Sequence, residues 1–313
     1  MSEQTNNYSL AMVPFVPWAV YNVAETKGFW KQQGINVNIK VHASEDDYVH
    51  AVVNNLSDFY PLPLASTLDF INMGIDLVYL GILDLSNGHK HLILKSSFLG
   101  KSVKGQTIAL YSKESTTHYL VAQYLRTKGL KLSDVNLIYL DDESLADQFI
   151  NGDLKLALAF RGTKERVKTI GKGTVVFTTS DYIDAFGITA SRQTYGSTPQ
   201  SDFMKFYQGR FEALKWIEDP SNWREFKSIV NEVTYKDYPD FNDNDLRAQL
   251  HEVRVPPPDM LLKKNQAEFR SIFDEFKEVV IANRILDEQY AANFTFEAMI
   301  HNQALIEALK MNL

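Results

Sequence analysis

The chain of 313 residues contains no cysteine, which excludes thiol catalysis, disulfide bonds and cysteine-ligated zinc. No apolar stretch approaches the ~20 residues that a membrane-spanning helix needs. The sequence also lacks a basic block, because its 32 basic and 39 acidic side chains are well mixed and give a net charge of −7. Nucleic acid and anionic membrane surfaces are therefore not expected as main partners.

Common catalytic motifs are missing as well. The chain has no Walker loop, no glycine-rich dinucleotide fingerprint, no H-E-x-x-H and no nucleophile elbow. Asp141, Asp142 and Glu143 lie where a predicted strand meets a predicted helix, so they suit the positive helix N-terminus better than catalysis. We therefore predict no catalytic residue and no cofactor.

Two histidines, His89 and His91, would share one face if "GHKHLIL" is a strand, and two neighbouring imidazoles can ligate a metal. No carboxylate or third histidine clusters near them in the sequence. A solvated start of a strand is therefore the favoured interpretation, and no metal site is predicted.

The first ten residues, MSEQTNNYSL, are polar and contain no signal-peptide core. Two interpretations stay open: a cytoplasmic protein, or a processed chain that functions in the periplasm or elsewhere outside the cytoplasm.

The length favours two domains or lobes, and the hydrophobic content of 45% is that of a globular protein. Strands and helices alternate in the first part of the chain, which is typical of an open α/β sheet. Pro17 suits the first turn of a helix that closes at Gly28, and Ser44 with Asp47 resembles a capping box. The predicted strands are 8–13, 35–41, 58–60 and 77–83, and the predicted helices are 17–28, 44–55 and 64–73.

The same order then starts again. Strands are predicted at 106–111, 135–140 and 154–160, with helices at 115–128 and 143–151. Both units contain Thr-Lys-Gly at the end of a helix, followed by a connector and an alternating strand. A last strand at 188–191 precedes a helical region that begins near Pro199. The repeated pattern predicts two similar α/β lobes.

Open α/β sheets bind ligands where strands run into helices, and four such junctions carry aromatic, proline or hydroxyl side chains. They are "PFVPW" with Phe15, Pro17 and Trp18; "YPLP" with Tyr60 and Pro61; "DLSNG" with Asp84 and Asn87; and "YSKESTTH" with Ser115, Thr116 and Thr117. The last junction offers hydroxyls and backbone N–H groups at a helix N-terminus, which suits an anion or another polar group. Simple N-capping by Ser115 and core burial of Trp18 are the alternatives.

The segments "VPWAVYNVAETKGFWKQQGINVNI", "LSDFYPLPLASTLDFINMGIDL" and "VKGQTIALYSKESTTHYLVAQYLRTKGLKLSDVNLIYL" resemble the solute-binding proteins of nitrate/sulfonate/taurine-type transporters. That group includes thiamine-precursor binders and NMT1/THI5-like domains. The resemblance covers residues 8–192 and, more loosely, the helical tail. It implies an α/β type II periplasmic-binding-protein fold, with two α/β lobes joined by hinge strands and a helical C-terminal region.

The resemblance implies lobe one at 1–93 plus 194–313 and lobe two at 94–193, with hinge crossings near 91–95 and 190–194. It implies that a ligand lies in the cleft, with Trp18 stacking, Tyr60 and Pro61 shaping the wall and Ser115 to Thr117 donating hydrogen bonds. Phe160 and Arg161 occupy a further contact region of the family. Arg161 is either a counter-ion for a carboxylate, sulfonate or phosphate, or a surface arginine. Asp184 and Phe186 are weaker candidates.

The implied function is capture of a small organic molecule by a monomeric binding protein that delivers it to the membrane permease of an ABC transporter. The same module could instead serve a signalling receptor as its sensing domain. A third alternative is an enzyme similar to the pyrimidine synthase of thiamine biosynthesis. That family uses pyridoxal phosphate on a lysine, a histidine and a cysteine-rich motif, whereas "LASTLDFINMG" contains neither lysine nor histidine. The bulky "YPLP" also replaces smaller residues of the family, so the cleft is expected to be reshaped.

Overall fold

A computed structural model describes residues 5–313, apart from the side chains of Phe160 and Arg161. Two sheets, each covered by helices, form two lobes. Within the described residues, no helix has both the length and the apolar character needed to cross a membrane.

Lobe one is built on strands from the beginning and the middle of the chain. Its strands are β1 (Asn6–Met12), β2 (Ile35–Val41), β3 (Tyr60–Pro63), β4 (Leu77–Ser86), β10 (Ala185–Ser191) and β11 (Val253–Arg254). β1 and β2 are parallel, and the other four are ordered β11-β4-β10-β3 with antiparallel pairing. A parallel bridge from Leu10 to Phe59 connects β1 to the segment before β3. The helices between these strands are α1 (Ala19–Thr26), α2 (Phe29–Gln32), α3 (Glu45–Val53) and α4 (Thr67–Asn72).

Lobe two contains the second α/β unit. Its strands are β5 (Lys90–Lys95), β6 (Thr107–Leu110), β7 (Asn136–Tyr139), β8 (Leu156–Phe160) and β9 (Gly173–Thr178). They are ordered β7-β6-β8-β5-β9, with parallel pairing on either side of β6 and antiparallel pairing on either side of β5. The helices are α5 (Ser115–Arg126), α6 (Asp142–Asn151) and α7 (Arg161–Thr169).

The C-terminal third is helical, as predicted, and packs mainly on lobe one. It comprises α8 (Arg192–Ser197), α9 (Gln200–Glu218), α10 (Trp223–Ile229), α11 (Asp243–Leu250), α12 (Pro258–Lys263), α13 (Phe269–Ala282), α14 (Glu288–Ala291), α15 (Phe296–Met299) and α16 (Gln303–Lys310). The Trp30 indole donates to the Phe206 carbonyl at 2.9 Å, which fixes α9 against α2. α13 also reaches lobe two, where Phe276 packs edge-on against Tyr119 of α5 with ring centroids 4.9 Å apart.

Sheet pairing moves the crossings between the lobes to earlier positions than the sequence predicts. The chain leaves lobe one after Ser86 and enters lobe two at Lys90, and it returns between Thr178 and Ala185. β5 therefore belongs to the second sheet and β10 to the first. We retain the division into two lobes as a proposal, with crossings at 87–89 and 179–184 in place of 91–95 and 190–194.

Strands β3 and β4 extend further along the chain than predicted, so different residues lie at their carboxyl ends. Pro61 does not terminate a strand; it lies inside β3, which pairs with β10 on one side, and an edge strand tolerates a missing N–H. β4 continues past Leu83 to Ser86. Both extensions shift the carboxyl end of the strand, where ligands bind in open α/β sheets, by several residues.

Candidate functional site

A cavity of about 500 Å³ lies between the two lobes. Lobe one contributes mainly apolar and aromatic side chains, and lobe two and the first crossing contribute mainly polar ones. The lining residues are Val13, Pro14, Phe15, Trp18, Glu45, Tyr48, Val49, Leu62, Pro63, Ser66, Asp69, Phe70, Met73 and Phe186 from lobe one, and His89, Lys90, Ser112, Lys113, Glu114 and Thr116 from the other side. A second concavity, of about 550 Å³, is lined by lobe two alone. Of these two cavities, the first is the one that both lobes line, and we call it the interlobe cleft.

The segment after β1 forms one wall of the interlobe cleft. Pro17 is the second residue of a single 3₁₀ turn, Val16–Trp18, that leads into α1, and the Trp18 N–H donates to the Phe15 carbonyl at 2.8 Å. The rings of Phe15 and Trp18 meet edge-on at 5.2 Å, and Phe15 stacks with Phe186 at 6.2 Å. Phe15, Trp18 and Phe186 therefore form one aromatic wall.

Trp18 combines the two roles that the sequence left open. Its side chain lines the interlobe cleft, yet only 6% of its surface is exposed and it packs in the largest apolar core of lobe one. Core burial and a position in the cleft wall are compatible, because the face of the indole toward the cleft can be covered by a ligand while the rest stays packed.

The N-terminus of α5 faces this wall from lobe two. Thr116 lines the interlobe cleft, and its hydroxyl accepts from the Lys90 ammonium at 2.7 Å and donates to the Glu114 carboxylate at 3.3 Å. Thr117 is fully buried and donates to the Glu114 carbonyl at 2.7 Å, so its hydroxyl closes the first helical turn instead of facing the cleft.

Ser115 is already bound to the opposite lobe. The Asp69 carboxylate, on α4, accepts from the Ser115 N–H at 2.9 Å and from its hydroxyl at 2.6 Å. Burial raises the pKa of Asp69 to about 6, although the hydrogen bonds from Ser115 oppose the rise; Glu114 raises it further and Lys90 lowers it. Asp69 is not among the residues that the sequence predicts, because nothing local distinguishes it from a solvated helix residue.

Lys90 is a second lining residue that the sequence pattern does not reveal. It is the first residue of β5 and is 8% exposed. Burial lowers the pKa of its ammonium, but the neighbouring Tyr111, Glu114 and Asp184 outweigh that effect and the net pKa is raised. The ammonium therefore stays protonated. The only signal in the sequence is its place at the start of the predicted strand "GHKHLIL", two residues before the apolar run of Leu92 to Leu94.

Asp184 lies in the second crossing and interacts electrostatically with Lys90. Burial raises the pKa of its carboxyl to about 6, against the influence of Lys90. Phe186, two residues later, lines the interlobe cleft. Both weaker candidates thus lie near the crossing, and Phe186 is the one that contributes to the wall.

Tyr60, Pro61 and Pro17 were predicted to contact a ligand, but they do not line the interlobe cleft. The reasons are the longer course of β3 and the turn before α1. Tyr60 is fully buried, and its hydroxyl donates to the Ala51 carbonyl at 3.0 Å. The Pro61 carbonyl accepts from the Tyr48 hydroxyl at 2.9 Å. Because the strand ends at Pro63, Leu62 and Pro63 line the cleft at this junction. Pro17 does not line the cleft either; it shapes the turn that presents Trp18.

The extended course of β4 similarly places Asp84 and Asn87 in structural contacts. Asp84 is 3% exposed and pairs with Arg210 of α9 through both carboxylate oxygens, at 2.6 and 2.8 Å. The Asn87 amide donates to the His251 carbonyl at 2.8 Å. Neither residue lines the interlobe cleft.

The remaining predictions concern Phe160, Arg161 and the histidine pair. The side chains of Phe160 and Arg161 lie outside the described part of the structure, so their predicted contacts stay predictions. His89 bonds to the Ser86 hydroxyl at 2.8 Å and lines the interlobe cleft. His91 is half-buried, and burial together with Lys164 and Lys168 lowers its pKa to about 4. Among the described residues, no cluster of three or more histidine or acidic side chains is arranged to hold a metal.

The two lobes with a cleft between them are the architecture of periplasmic binding proteins, and structural comparison agrees on the fold. The periplasmic aliphatic sulphonate binding protein SsuA from Escherichia coli is similar with a TM-score of 0.66 and 14% identity, over 91% of this chain and 95% of that one. The periplasmic nitrate-binding protein NrtA from Synechocystis PCC 6803 is similar with a TM-score of 0.64 and 14% identity, over 98% and 89%. The predicted periplasmic-binding-protein fold is therefore confirmed.

The sequence pattern of the family described as NMT1/THI5 like matches residues 18–201, and the chain belongs to this family. A full-length relative is YtlA of Bacillus subtilis (strain 168), a protein provisionally described as a binding protein. The two are 20% identical over 293 residues, which cover 90% of this chain and 87% of YtlA. The resemblance predicted from the sequence is thus confirmed at the level of the family.

Proposed function

We propose that this chain is the solute-binding component of an ABC import system and captures a small organic molecule in the interlobe cleft. The observation that supports this most directly is the division of the cleft: an aromatic wall on one lobe faces lysine, threonine and carboxylate groups on the other. Such a site covers the apolar body of a ligand and orients its polar group with a few placed contacts.

Binding is coupled to the relative position of the lobes. Two short crossings join them, and a ligand that contacts both walls favours the closed arrangement. The closed, loaded form is the one a membrane permease would recognise. We place this step outside the cytoplasm, as for relatives described as periplasmic, and expect a monomer, since the cleft is complete within one chain.

A binding role is favoured over the synthase-like alternative because the compared relatives with a stated activity are binding proteins. In addition, the lining carboxylates Asp69 and Glu114 are both engaged in hydrogen bonds that position α5. These carboxylates therefore support the structure around the ligand position, which fits a binding role better than a catalytic one.

The test is thermal unfolding of the purified protein against sulfonates, amino acids, pyrimidines, nitrate and aromatic acids. A compound present at 100 times its Kd stabilises the folded state by about 2.7 kcal/mol, which raises the Tm measurably. A hit should bind with one-to-one stoichiometry in calorimetry and reduce the radius of gyration in solution scattering. If the folded protein responds to no compound, capture of a small molecule is contradicted.

A further inference from the structure

Seven lysines lie along one edge of the sheet of lobe two. The segments that enter the parallel strands β6, β7 and β8 share this edge, and the antiparallel pairing of β5 brings the end of β5 and the start of β9 to it as well. The Lys95 N–H donates to the Lys155 carbonyl at 2.8 Å, and the Ser96 N–H donates to the Lys172 carbonyl at 3.0 Å. We call this set the basic edge; it consists of Lys95, Lys101, Lys104, Lys128, Lys131, Lys155 and Lys172.

The basic edge is neutralised only in small part by its own neighbours. It is formed by the segments 95–106, 128–135, 152–155 and 170–173. They contain two acidic residues, Asp134 and Asp153, and no arginine, although the whole chain has a net charge of −7. Among the side chains that the structure describes, Lys104 pairs with Asp134 at 3.5 Å and the other six lysines form no ion pair. Burial, and next two neighbouring ammoniums of the same edge, lower the pKa of Lys95.

A groove with an apolar floor lies within the basic edge. It is the concavity of about 550 Å³ on lobe two, and we call it the distal groove. Lys101, Lys104 and Lys128 line it, and none of the lining residues that the structure describes is acidic. The Lys101 ammonium lies over the Phe98 ring at 5.4 Å and the Lys128 ammonium over the Tyr124 ring at 5.6 Å, contacts that position both charges without neutralising them. The apolar lining residues are Leu94, Leu99, Val103, Tyr124, Leu130 and Val176.

The distal groove and the interlobe cleft lie at opposite ends of the same two elements. On β5, Lys90 lines the cleft and Leu94 lines the groove, which corresponds to about 13 Å of strand. On α5, Thr116 lines the cleft and Tyr124 lines the groove, which corresponds to about 12 Å of helix. A partner in the groove therefore contacts lobe two alone and leaves the cleft open to its own ligand.

The chemistry of the distal groove fits an acidic polypeptide segment. Carboxylates complement the lysines, and a large apolar side chain fits the floor, where Leu99 is 47% exposed. Nucleic acid is a poorer match, because the basic edge has no arginine for bidentate phosphate contacts. A bilayer is a poorer match as well, because it takes up protruding apolar side chains, whereas the apolar surface here is concave.

We propose that the distal groove is a docking site for an acidic segment of a partner protein. Carboxylates of that segment pair with Lys101, Lys104 and Lys128, and an apolar side chain covers the floor between them. The inference goes beyond the proposed function and does not depend on it, because it concerns a second site at the far end of lobe two.

Fluorescence anisotropy with labelled peptides at pH 7.5 tests the docking. The probe is the peptide DDELFDEE. Two matched peptides are NNQLFNQQ, which keeps the apolar pair without the charges, and DDESSDEE, which keeps the charges without the apolar pair. Each change should weaken binding about tenfold or more, because charge pairing and apolar burial contribute separately. The affinity for the probe should also fall about tenfold between ~25 and ~300 mM NaCl.

The groove variant Lys101→Gln, Lys104→Gln, Lys128→Gln removes three charges and keeps most of each side chain. All three lysines are exposed, so the variant should unfold at the temperature of the wild type and bind the probe about tenfold more weakly. A control variant changes the net charge equally and should bind the probe like the wild type. It replaces three exposed lysines on the side of lobe one: Lys31→Gln, Lys40→Gln and Lys236→Gln.

Two further measurements separate the parts of the site. Leu99→Ser should weaken binding of the probe several-fold and leave binding of DDESSDEE unchanged, because it alters only the apolar floor. A compound from the thermal-shift panel that binds the wild type should bind the groove variant equally well. Failure of the docking proposal is thereby distinguished from failure of the proposed function.

Five outcomes would overturn the inference. The wild type does not bind the probe at low salt, or it binds NNQLFNQQ as tightly. The control variant loses as much affinity as the groove variant, so that only net charge matters. Vesicles of phosphatidylcholine and phosphatidylglycerol in equal parts, or oligothymidine, bind more tightly than the probe and lose this affinity in the groove variant, which would make the occupant a membrane or a nucleic acid. The wild type self-associates in sedimentation and the groove variant does not, which would make the occupant a second copy of this chain.

Discussion

Asp69 on α4 of lobe one accepts two hydrogen bonds from Ser115, the first residue of α5 on lobe two. The contact joins the two lobes across the interlobe cleft. A carboxylate at a helix N-terminus is favourable both as a hydrogen-bond acceptor and as a charge near the positive end of the helix. Lobe one therefore caps a helix of lobe two, and the cap holds the lobes together.

Removal of this cap should loosen the lobes. In Asp69→Ala, the Ser115 amide loses its acceptor, so we expect faster hydrogen exchange at Ser115 and a larger radius of gyration without ligand. Asp76→Ala is the control, since Asp76 forms an exposed ion pair with Arg192 within lobe one. Unchanged exchange at Ser115 in Asp69→Ala would show that the cap does not hold the lobes.

The same carboxyl predicts a pH dependence of stability. The pKa of Asp69 is raised to about 6 by burial, so between pH 4 and 6 the folded state binds this proton more strongly than the unfolded state. Its contribution to the free energy of unfolding is therefore greatest below the unfolded pKa and falls as the pH rises through 6. In Asp69→Asn, the free energy of unfolding should fall less steeply with pH than in the wild type, by up to about 1.4 kcal/mol per pH unit. Urea unfolding from pH 4 to 7 measures this slope.

Two further variants check the sign of this effect. Asp184→Asn should act in the same direction, because burial also raises the pKa of Asp184 to about 6. Asp243→Asn should act in the opposite direction and only near and below pH 4, because hydrogen bonds from Lys227 and Trp223 lower the pKa of Asp243 from its usual 3.8; the urea series for this variant therefore extends below pH 4. If the free energy of unfolding changed with pH in the same direction in all three variants, the stated directions of the pKa shifts would be wrong.

The aromatic wall can be tested with two phenylalanines from the same part of the chain. Phe15 and Phe29 are both partly buried against the same core, and only Phe15 lines the interlobe cleft. Both alanine variants should lose less than the ~3–5 kcal/mol of a fully buried phenylalanine. Phe15→Ala should also weaken binding of a hit from the thermal-shift panel roughly tenfold, whereas Phe29→Ala should not. Equal effects on affinity would exclude Phe15 from the site.

The Asp84–Arg210 pair predicts a large effect on stability. Asp84→Ala leaves the Arg210 guanidinium buried without its counter-ion, and removal of one partner of a buried pair costs about 3–5 kcal/mol. The double variant Asp84→Leu, Arg210→Met should recover much of this loss in urea unfolding. The double variant should bind ligand with unchanged affinity. A large loss of affinity would show that Asp84 belongs to the binding site.

Close packing in the first sheet predicts one position at which a single methyl group is not tolerated. A Cβ at Gly187 would lie 2.1 Å from the Gly81 carbonyl oxygen and 2.7 Å from the Tyr79 ring. Gly187→Ala should therefore cost several kcal/mol or prevent folding. Gly196→Ala is the control, since nothing lies within 4 Å of its Cβ and the residue is helical. It should be neutral or stabilise the protein by up to ~1 kcal/mol.

Local patterns were sufficient for most of the elements. The alternation from Ile35 to Val41 predicts β2 with its observed limits, and Ser44 caps α3 by accepting from the Asp47 N–H. The ends of β3 and β4 were harder to predict. Pro61 reads as a strand terminator in the sequence, and only its edge position beside β10 makes it acceptable inside a strand. An error of three residues at each end was enough to assign Tyr60 and Asp84 to the cleft.

The sequence alone determined the α/β alternation, the two lobes and the family, because these depend on periodicity and on motifs within short segments. It also identified Phe15, Trp18 and Thr116, which follow directly from strand-to-helix junctions and line the cleft. The tertiary structure decided that Asp69 caps α5, that Asp84 faces Arg210 and that Lys90 is a buried cation in the cleft. These relationships join residues 26 to 126 positions apart. Their electrostatics depend on burial and on partners from distant segments, which no local pattern contains.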